Sequence, residues 1–178
     1  MIFTPTELPG AVLVDLERHE DERGYFARTW CAREFHAAGL SDRLVQASVS
    51  YSRRRGTLRG MHYQVAPHEE DKLVRCTAGA IWDVAVDLRP DSPTFLRHVA
   101  VELSAAEGRA FYIPRGFAHG FQTLEDDTEV FYQMSAFYAP EAGRGLRWND
   151  PALGITWPLA DPILHPRDAA YPDYRAVA

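Results

Sequence analysis

Short runs that alternate apolar and polar side chains, cut apart by Gly, Pro and Asp clusters, recur along almost the whole chain. A period of two sends successive side chains to opposite faces of an extended strand, so such runs read as strands with one face toward a core. They cover Ala11–Leu16, Tyr25–Thr29, Val45–Ser52, Thr57–Gln64, Leu73–Ala78, Ala80–Leu88, Arg97–Leu103, Arg109–Ile113, His119–Thr123 and Thr128–Phe137. In the run Ala80–Leu88, Trp82, Val84 and Val86 share one face, and Asp83, Ala85 and Asp87 share the other. Only Cys31–Ala38 has a helical pattern, ended by Gly39. After Pro151 come Pro158, Pro162, Pro166 and Pro172, which predict turns with short helical pieces. Many short strands with no helices between them predict an all-β fold, a jelly roll or barrel of paired antiparallel sheets. Such folds hold a ligand in the mouth or lumen.

With 178 residues the chain is expected to form a single domain, 1–178, with a core that needs no staples. The formal net charge of -6 argues against a nucleic-acid surface, so any anion-binding cations must be local. No apolar stretch approaches the roughly 18 residues of a membrane span. The start, Met1-Ile2-Phe3-Thr4, lacks a basic segment followed by a long apolar run. Cys31 and Cys76 form no CxxC pair and no disulfide framework. The expectation is a cytoplasmic protein with two free thiols.

The chemistry concentrates in Thr57-Leu58-Arg59-Gly60-Met61-His62-Tyr63-Gln64 and in Lys72, which follows the polar loop Pro67–Asp71. Nearby cations favour the neutral form of an imidazole, and a general base must be neutral to act. Strict parity puts Arg59 and His62 on opposite faces; a bulge at Gly60 would bring both to one cavity. Lys72 suits an oxyanion formed as a neighbouring C–H is deprotonated. The planar fork of Arg59 suits a diphosphate. Tyr132 has the makings of a general acid, and Tyr138, at the same parity, could stack on a nucleobase. An imidazole base needs an orienting carboxylate, and the residues leave Asp83 and Asp168 as rivals for that place. Pro114-x-Gly116-x-x-His119 is similar to the second cupin motif, but the first offers only Met61-His62-Tyr63, a poor metal set. No metal and no cofactor are expected.

Together these blocks resemble the dTDP-4-dehydrorhamnose 3,5-epimerase family. So do Asp21-x-Arg23-Gly24-x-Phe26, Lys72-Leu73-Val74-Arg75, Asp83-Val84-Ala85-Val86-Asp87-Leu88-Arg89, Ser92-Pro93-Thr94-Phe95, Ile113 to Phe121, Trp148-Asn149-Asp150-Pro151 and Ile155-x-Trp157-Pro158. The resemblance implies a cupin-type double-stranded β-helix (jelly roll) with short peripheral helices. It implies a homodimer that exchanges N-terminal strands and a nucleotide-sugar substrate. The activity it implies is cofactor-free epimerisation of a nucleotide-linked 4-keto-6-deoxy-hexose. On that mapping His62 accepts a proton, Tyr132 donates one, Asp168 pairs with His62, and Lys72 steadies an enolate. Tyr138 stacks on the base, while Arg23, Phe26, Gln46, Ser48, Arg59, His119 and Arg167 lie at substrate-binding positions.

Three positions depart from the family's pattern. Arg28 follows the Phe26 block where Glu is usual, Ser48 stands for the Asn of Gln-x-Asn, and Gly143 replaces a Glu before the Trp-Asn-Asp block. All three belong to ligand binding, so the resemblance leaves the nucleotide open. The same residues also suit an epimerase acting at one centre only. A non-catalytic sugar-nucleotide-binding jelly roll would not need both His62 and Tyr132. A metal-dependent cupin oxygenase is the remaining alternative.

Overall fold

The computed structural model describes residues 1–174. In chain order the elements are β1 (Ile2–Pro5), β2 (Val12–Asp15), β3 (His19–Asp21), β4 (Gly24–Phe26), α1 (Ala32–Ala37), β5 (Gln46–Ser52), β6 (Thr57–Gln64), β7 (Lys72–Ala78) and β8 (Ala80–Asp87). There follow β9 (His98–Ser104), β10 (Ala110–Ile113), β11 (Phe117–Thr123), β12 (Thr128–Met134), β13 (Gly143–Gly145), β14 (Ile163–Leu164) and α2 (Pro166–Ala169). One sheet runs β1-β2-β10-β7-β12-β5 and the other β13-β6-β11-β8-β9, with β14 added parallel to β6. Every other pairing is antiparallel. Sequence neighbours such as β7 and β8 lie in different sheets, which is the crossing pattern of a jelly roll.

Alternation along β8 builds the layers. Ala85 joins Val74, Cys76, Ile81, Phe111, Ile113, Phe117, Phe121 and Val130 in the core between the sheets. Val84 and Val86 face outward, where Met61, Ala118, Leu146 and Leu153 cover them, with Trp82, Ile155 and Trp157 packed alongside. The proline-rich tail is thus the outer layer of the second sheet. On the first sheet, Phe35 of α1 is fully buried against Val12, Val14, Leu73, Ala110 and Tyr112. Burial at about 25 cal/mol per Å² of apolar surface is the main favourable term in such layers.

The differences from the predicted elements are local. β12 stops at Met134 rather than Phe137, because Ser135 leaves the sheet. Its Oγ accepts from the Asp71 amide at 2.8 Å and donates to Asp71 Oδ2 at 2.9 Å. β1, β3, β13 and β14 carry too few residues for a period to be read.

At one end of β8, Asp87 is fully buried, and its Oδ2 accepts from Arg89, Ser92 and Thr94 at 2.7, 2.6 and 2.7 Å. Burial opposes its charge, but these donors and the Arg89 amide outweigh it and bring the carboxyl from 3.8 down to about 2. A group depressed on folding contributes stability above its unfolded value, and that contribution fades as pH falls toward the folded one. Asp87→Asn should therefore cost about 2–3 kcal/mol at neutral pH. In urea unfolding between pH 4 and 2 the variant should lose stability less steeply than the parent; parallel curves would contradict this account.

Candidate active site

The site opens at the end of the interior where polar side chains replace the apolar core. The first sheet contributes Gln46, Ser48 and Ser50 from β5, Lys72 from β7 and Tyr132 from β12. Register fixes this wall: Tyr132 lies opposite Ser48 on one side and Val74 on the other, and Met134 opposite Gln46 and Lys72. The second sheet contributes Arg59 and His62 from β6 and His119 and Phe121 from β11. A cleft of about 620 Å³ and an adjoining one of about 240 Å³ share His62, Lys72, Tyr132 and Arg167.

Arg59 and His62 reach the same space because β6 is irregular at Gly60. His119 pairs with His62 and Phe121 with Arg59, so β6 carries one more residue than β11 across this interval. The bulge needs glycine. Gly60 has φ +143°, and a Cβ there would lie 2.5 Å from Gly120 Cα. Gly120 in turn has no room for a side chain beside Met61 Sδ.

Asp168 is the carboxylate at His62. His62 Nε2 lies 2.9 Å from Asp168 Oδ1, and the Gly60 amide donates to Oδ2 at 3.3 Å. The Asp168 side chain is only 4% exposed, whereas the His62 ring is 33% exposed and open to the cleft. Burial works against the Asp168 charge, but His62, the Gly60 amide and Arg167 hold the carboxyl below the usual range. An ionised carboxylate only accepts hydrogen bonds, so the neutral ring donates from Nε2 and keeps its lone pair on Nδ1. Asp83 has a different partner: its Oδ1 sits 2.6 Å from His119 Nε2. Two imidazole–carboxylate pairs therefore stand side by side, since His62 and His119 are cross-strand neighbours.

Tyr138 lines the larger cleft on the loop after β12, its amide donating to Gln46 Oε1 at 3.1 Å. Arg59 donates to Ser52 Oγ at 3.3 Å and to the Tyr51 carbonyl at 3.0 Å. Arg167 overlooks the cleft from α2. Ser48 and Gly143 line it too, and a Cβ at Gly143 would meet nothing closer than the Pro140 carbonyl at 3.4 Å. Arg23, Phe26 and Arg28 stand apart. Arg23 is paired with Asp21 on the exposed β3–β4 hairpin, Phe26 is 70% exposed, and Arg28 binds Glu34 at 2.7 Å. Within one chain the expected ligand contacts of Arg23 and Phe26 are thus not assembled, since neither lines either part of the cleft.

Gln64, which ends the β6 motif, also lines the cleft, as do Glu70, Arg144 and Tyr171, which their sequence context did not mark. Tyr171 meets the His62 ring edge-on at 5.8 Å and occupies the space where Gly145 lacks a side chain. Glycines on a strand, as in Gly143-Arg144-Gly145, are the one available signal, since they mark close approach by another group. Among the described residues, no three His, Cys, Asp or Glu side chains are grouped to hold a metal ion.

Comparison with known proteins gives a consistent pattern. Residues 5–176 match the family model described as dTDP-4-dehydrorhamnose 3,5-epimerase. The enzyme of that name from Sinorhizobium fredii is 42% identical over 97% of this chain and 89% of its own. The crystal structure of dTDP-4-dehydrorhamnose 3,5-epimerase from Elizabethkingia anophelis superposes with a TM-score of 0.95 at 40% identity, covering 98% of this chain and 96% of its own. A 3'-monoepimerase from Streptomyces bikiniensis in complex with dTDP-quinovose gives 0.88 at 35% identity, over 96% and 86%.

Gly60→Ala tests the local geometry on which the site rests. Overpacking and an unfavourable φ should together cost about 2–4 kcal/mol. Thermal unfolding should show the loss, and near-parental stability would mean that the β6 bulge tolerates a side chain.

Proposed function

The chain belongs to the dTDP-4-dehydrorhamnose 3,5-epimerase family and is an isomerase, and from that premise we propose that it inverts C3 and/or C5 of a nucleotide-linked 4-keto-6-deoxy-hexose by acid–base proton transfer. The observation that carries this reading is a carboxylate-paired histidine and a tyrosine reaching one cleft from opposite sheets. The C4 ketone acidifies the hydrogens on C3 and C5. His62 Nδ1 takes one of them, and the Asp168 carboxylate stabilises the imidazolium that results. Lys72 stabilises the enolate oxygen. Tyr132 returns a proton to the opposite face, which makes the outcome inversion rather than exchange. No redox cofactor is required, because the proton removed and the proton returned leave the sugar's oxidation state unchanged.

Arg59, Arg167 and His119 provide charged and polar contacts for the diphosphate and sugar, and Tyr138 a stacking face for the base. Nucleoside diphosphates are the ligand class, with dTDP favoured by the relatives. The open wall at Gly143 and the hydroxyl of Ser48 should make binding of dTDP weaker than in relatives with Glu and Asn there. Inversion at one centre only is the second reading, favoured by the likeness to a 3'-monoepimerase.

We also propose a homodimer with exchanged N-terminal strands. β1 is an edge strand with Ile2 exposed, and Val49 and Tyr51 stand exposed on the opposite edge strand, β5. Such an exchange would bring the hairpin carrying Arg23 and Phe26 to the cleft of the other subunit. The free thiols Cys31 and Cys76, with Cys76 raised to about 11 by burial, suit the reducing cytoplasm.

NMR of dTDP-4-dehydro-6-deoxyglucose in D₂O tests the reading. The parent should exchange deuterium into C3, C5 or both, and His62→Asn should abolish uptake while staying folded. Tyr132→Phe should slow inversion more than exchange, because the enolate still forms. Uptake by His62→Asn at the parental rate would remove His62 from the mechanism. In calorimetry, Arg59→Ala should weaken dTDP by about 1.5–3 kcal/mol, the range for a charge-assisted hydrogen bond. Unchanged affinity would place the diphosphate elsewhere.

A further inference from the structure

Glu70 is the one carboxylate among the described residues that line the larger cleft. Its Oε1 lies 3.2 Å from Lys72 Nζ, and both side chains are only 11% exposed. Its other oxygen, Oε2, accepts from Gln64 Nε2 at 3.3 Å. Gln64 is itself buried and held: the two N–H groups of Nε2 are shared among Glu70 Oε2 and the His68 and Phe137 carbonyls, the last two at 2.9 and 3.3 Å, and Oε1 accepts from the Ala139 amide at 2.7 Å. The backbone beside Glu70 is fixed as well. Asp71 is buried and accepts from the Arg115 amide, the Arg115 guanidinium and Ser135 Oγ at 3.0, 2.8 and 2.9 Å. Glu70 thus enters the cleft on an anchored segment with one oxygen tied back to the scaffold and the other on the lysine.

An ion pair on open surface contributes little. This one sits where a lysine is asked to hold a defined position. A lysine carries its charge on a flexible four-carbon stem, and an oxyanion is stabilised best by a donor already in place. The guanidinium groups of Arg59 and Arg167 share the same space, so an untethered ammonium would be driven toward solvent by like charge.

We propose that Glu70 is a positioning residue for the epimerisation: it fixes the Lys72 ammonium at the oxyanion position and acts on the reaction only through that lysine. Gln64 completes the device. Its bonds to Phe137 and Ala139 flank Tyr138, so one amide braces both the stacking loop and the carboxylate that holds the lysine. This inference rests on the reading of Lys72 as the enolate-stabilising cation.

The test is a cycle of Glu70→Ala, Lys72→Met and the double variant, followed by deuterium uptake from D₂O into saturating dTDP-4-dehydro-6-deoxyglucose. KM and calorimetric affinity for dTDP are measured in parallel, and thermal unfolding verifies each fold. Glu70→Ala should slow exchange about 10- to 100-fold, the scale of a small misplacement of a reacting group, with KM and dTDP affinity unchanged. Glu70→Gln, which keeps the shape and an acceptor oxygen but not the charge, should fall between Glu70→Ala and the parent. In the Lys72→Met background, removal of Glu70 should add no further loss, because two groups acting as a unit are not additive. Equal slowing in both backgrounds overturns the inference, as does parental exchange by Glu70→Ala or a loss confined to dTDP affinity. Parental exchange by Lys72→Met is a separate result: it removes Lys72 from the mechanism, and the role of Glu70 with it.

Discussion

The hydrogen bond between His62 Nε2 and Asp168 Oδ1, 2.9 Å long, joins residues 106 positions apart. Much of the site depends on it. The same carboxylate binds the Gly60 amide at the bulge that turns Arg59 and His62 toward one space. It arrives on α2, just after β14 has added itself to β6, so the tail is registered on the strand that carries the histidine. Tyr171 then closes over Gly145 onto the edge of the His62 ring. One buried charge, stabilised by several donors, fixes the ring's tautomer, the strand's irregularity and the wall of the cleft together. A buried carboxylate deprived of such partners would be strongly unfavourable, which is why the tail cannot be moved without disturbing the site.

The barrel provides a second constraint: its two sheets deliver different chemistry to the same cleft. Histidines, each on a carboxylate, come from β6 and β11, while the lysine and tyrosine come from β7 and β12. Rigid strands set the distance across the cleft, and the apolar core beneath excludes water from its floor. Proton removal on one face and return on the other needs such opposed walls, and this is the physical basis of the proposed inversion. Cations crowd the site although the chain as a whole is acidic, with a formal net charge of -6. The local field therefore suits an anionic ligand that the overall charge would not attract.

Period two alone made most of the body legible. Trp82, Val84 and Val86 against Asp83, Ala85 and Asp87 divided into tail-facing and core-facing layers as alternation requires. The grouping of Arg59 with His62, Lys72, His119 and Tyr132 was readable only with a bulge at Gly60 added, since strict parity separates Arg59 from His62. Other features were not. Periodicity leaves Asp83 and Asp168 as rivals, because no local pattern encodes a contact across 106 residues, and only the family resemblance pointed to Asp168, where the structure has it. Tyr171 and the short β13 and β14 lie in proline- and glycine-rich sequence with no period to read. Glu70 lies in the polar loop Pro67–Asp71, where no period marks it, and only the fold sets Gln64 and Lys72 on either side of it. Arg23 and Phe26 show the converse, a motif visible in sequence whose side chains do not reach the cleft of their own chain.

The central claim is that Asp168 holds His62 with its lone pair on Nδ1, free toward the cleft. Nitrogen-15 NMR of the imidazole side chains, with His62 assigned through His62→Asn, reads that tautomer directly. The account predicts that the neutral His62 ring carries its proton on Nε2, and that Asp168→Asn disturbs this preference while leaving the signals of His36 on the distant helix unchanged. A neutral His62 protonated on Nδ1 in the parent would leave no base facing the cleft and would contradict the account.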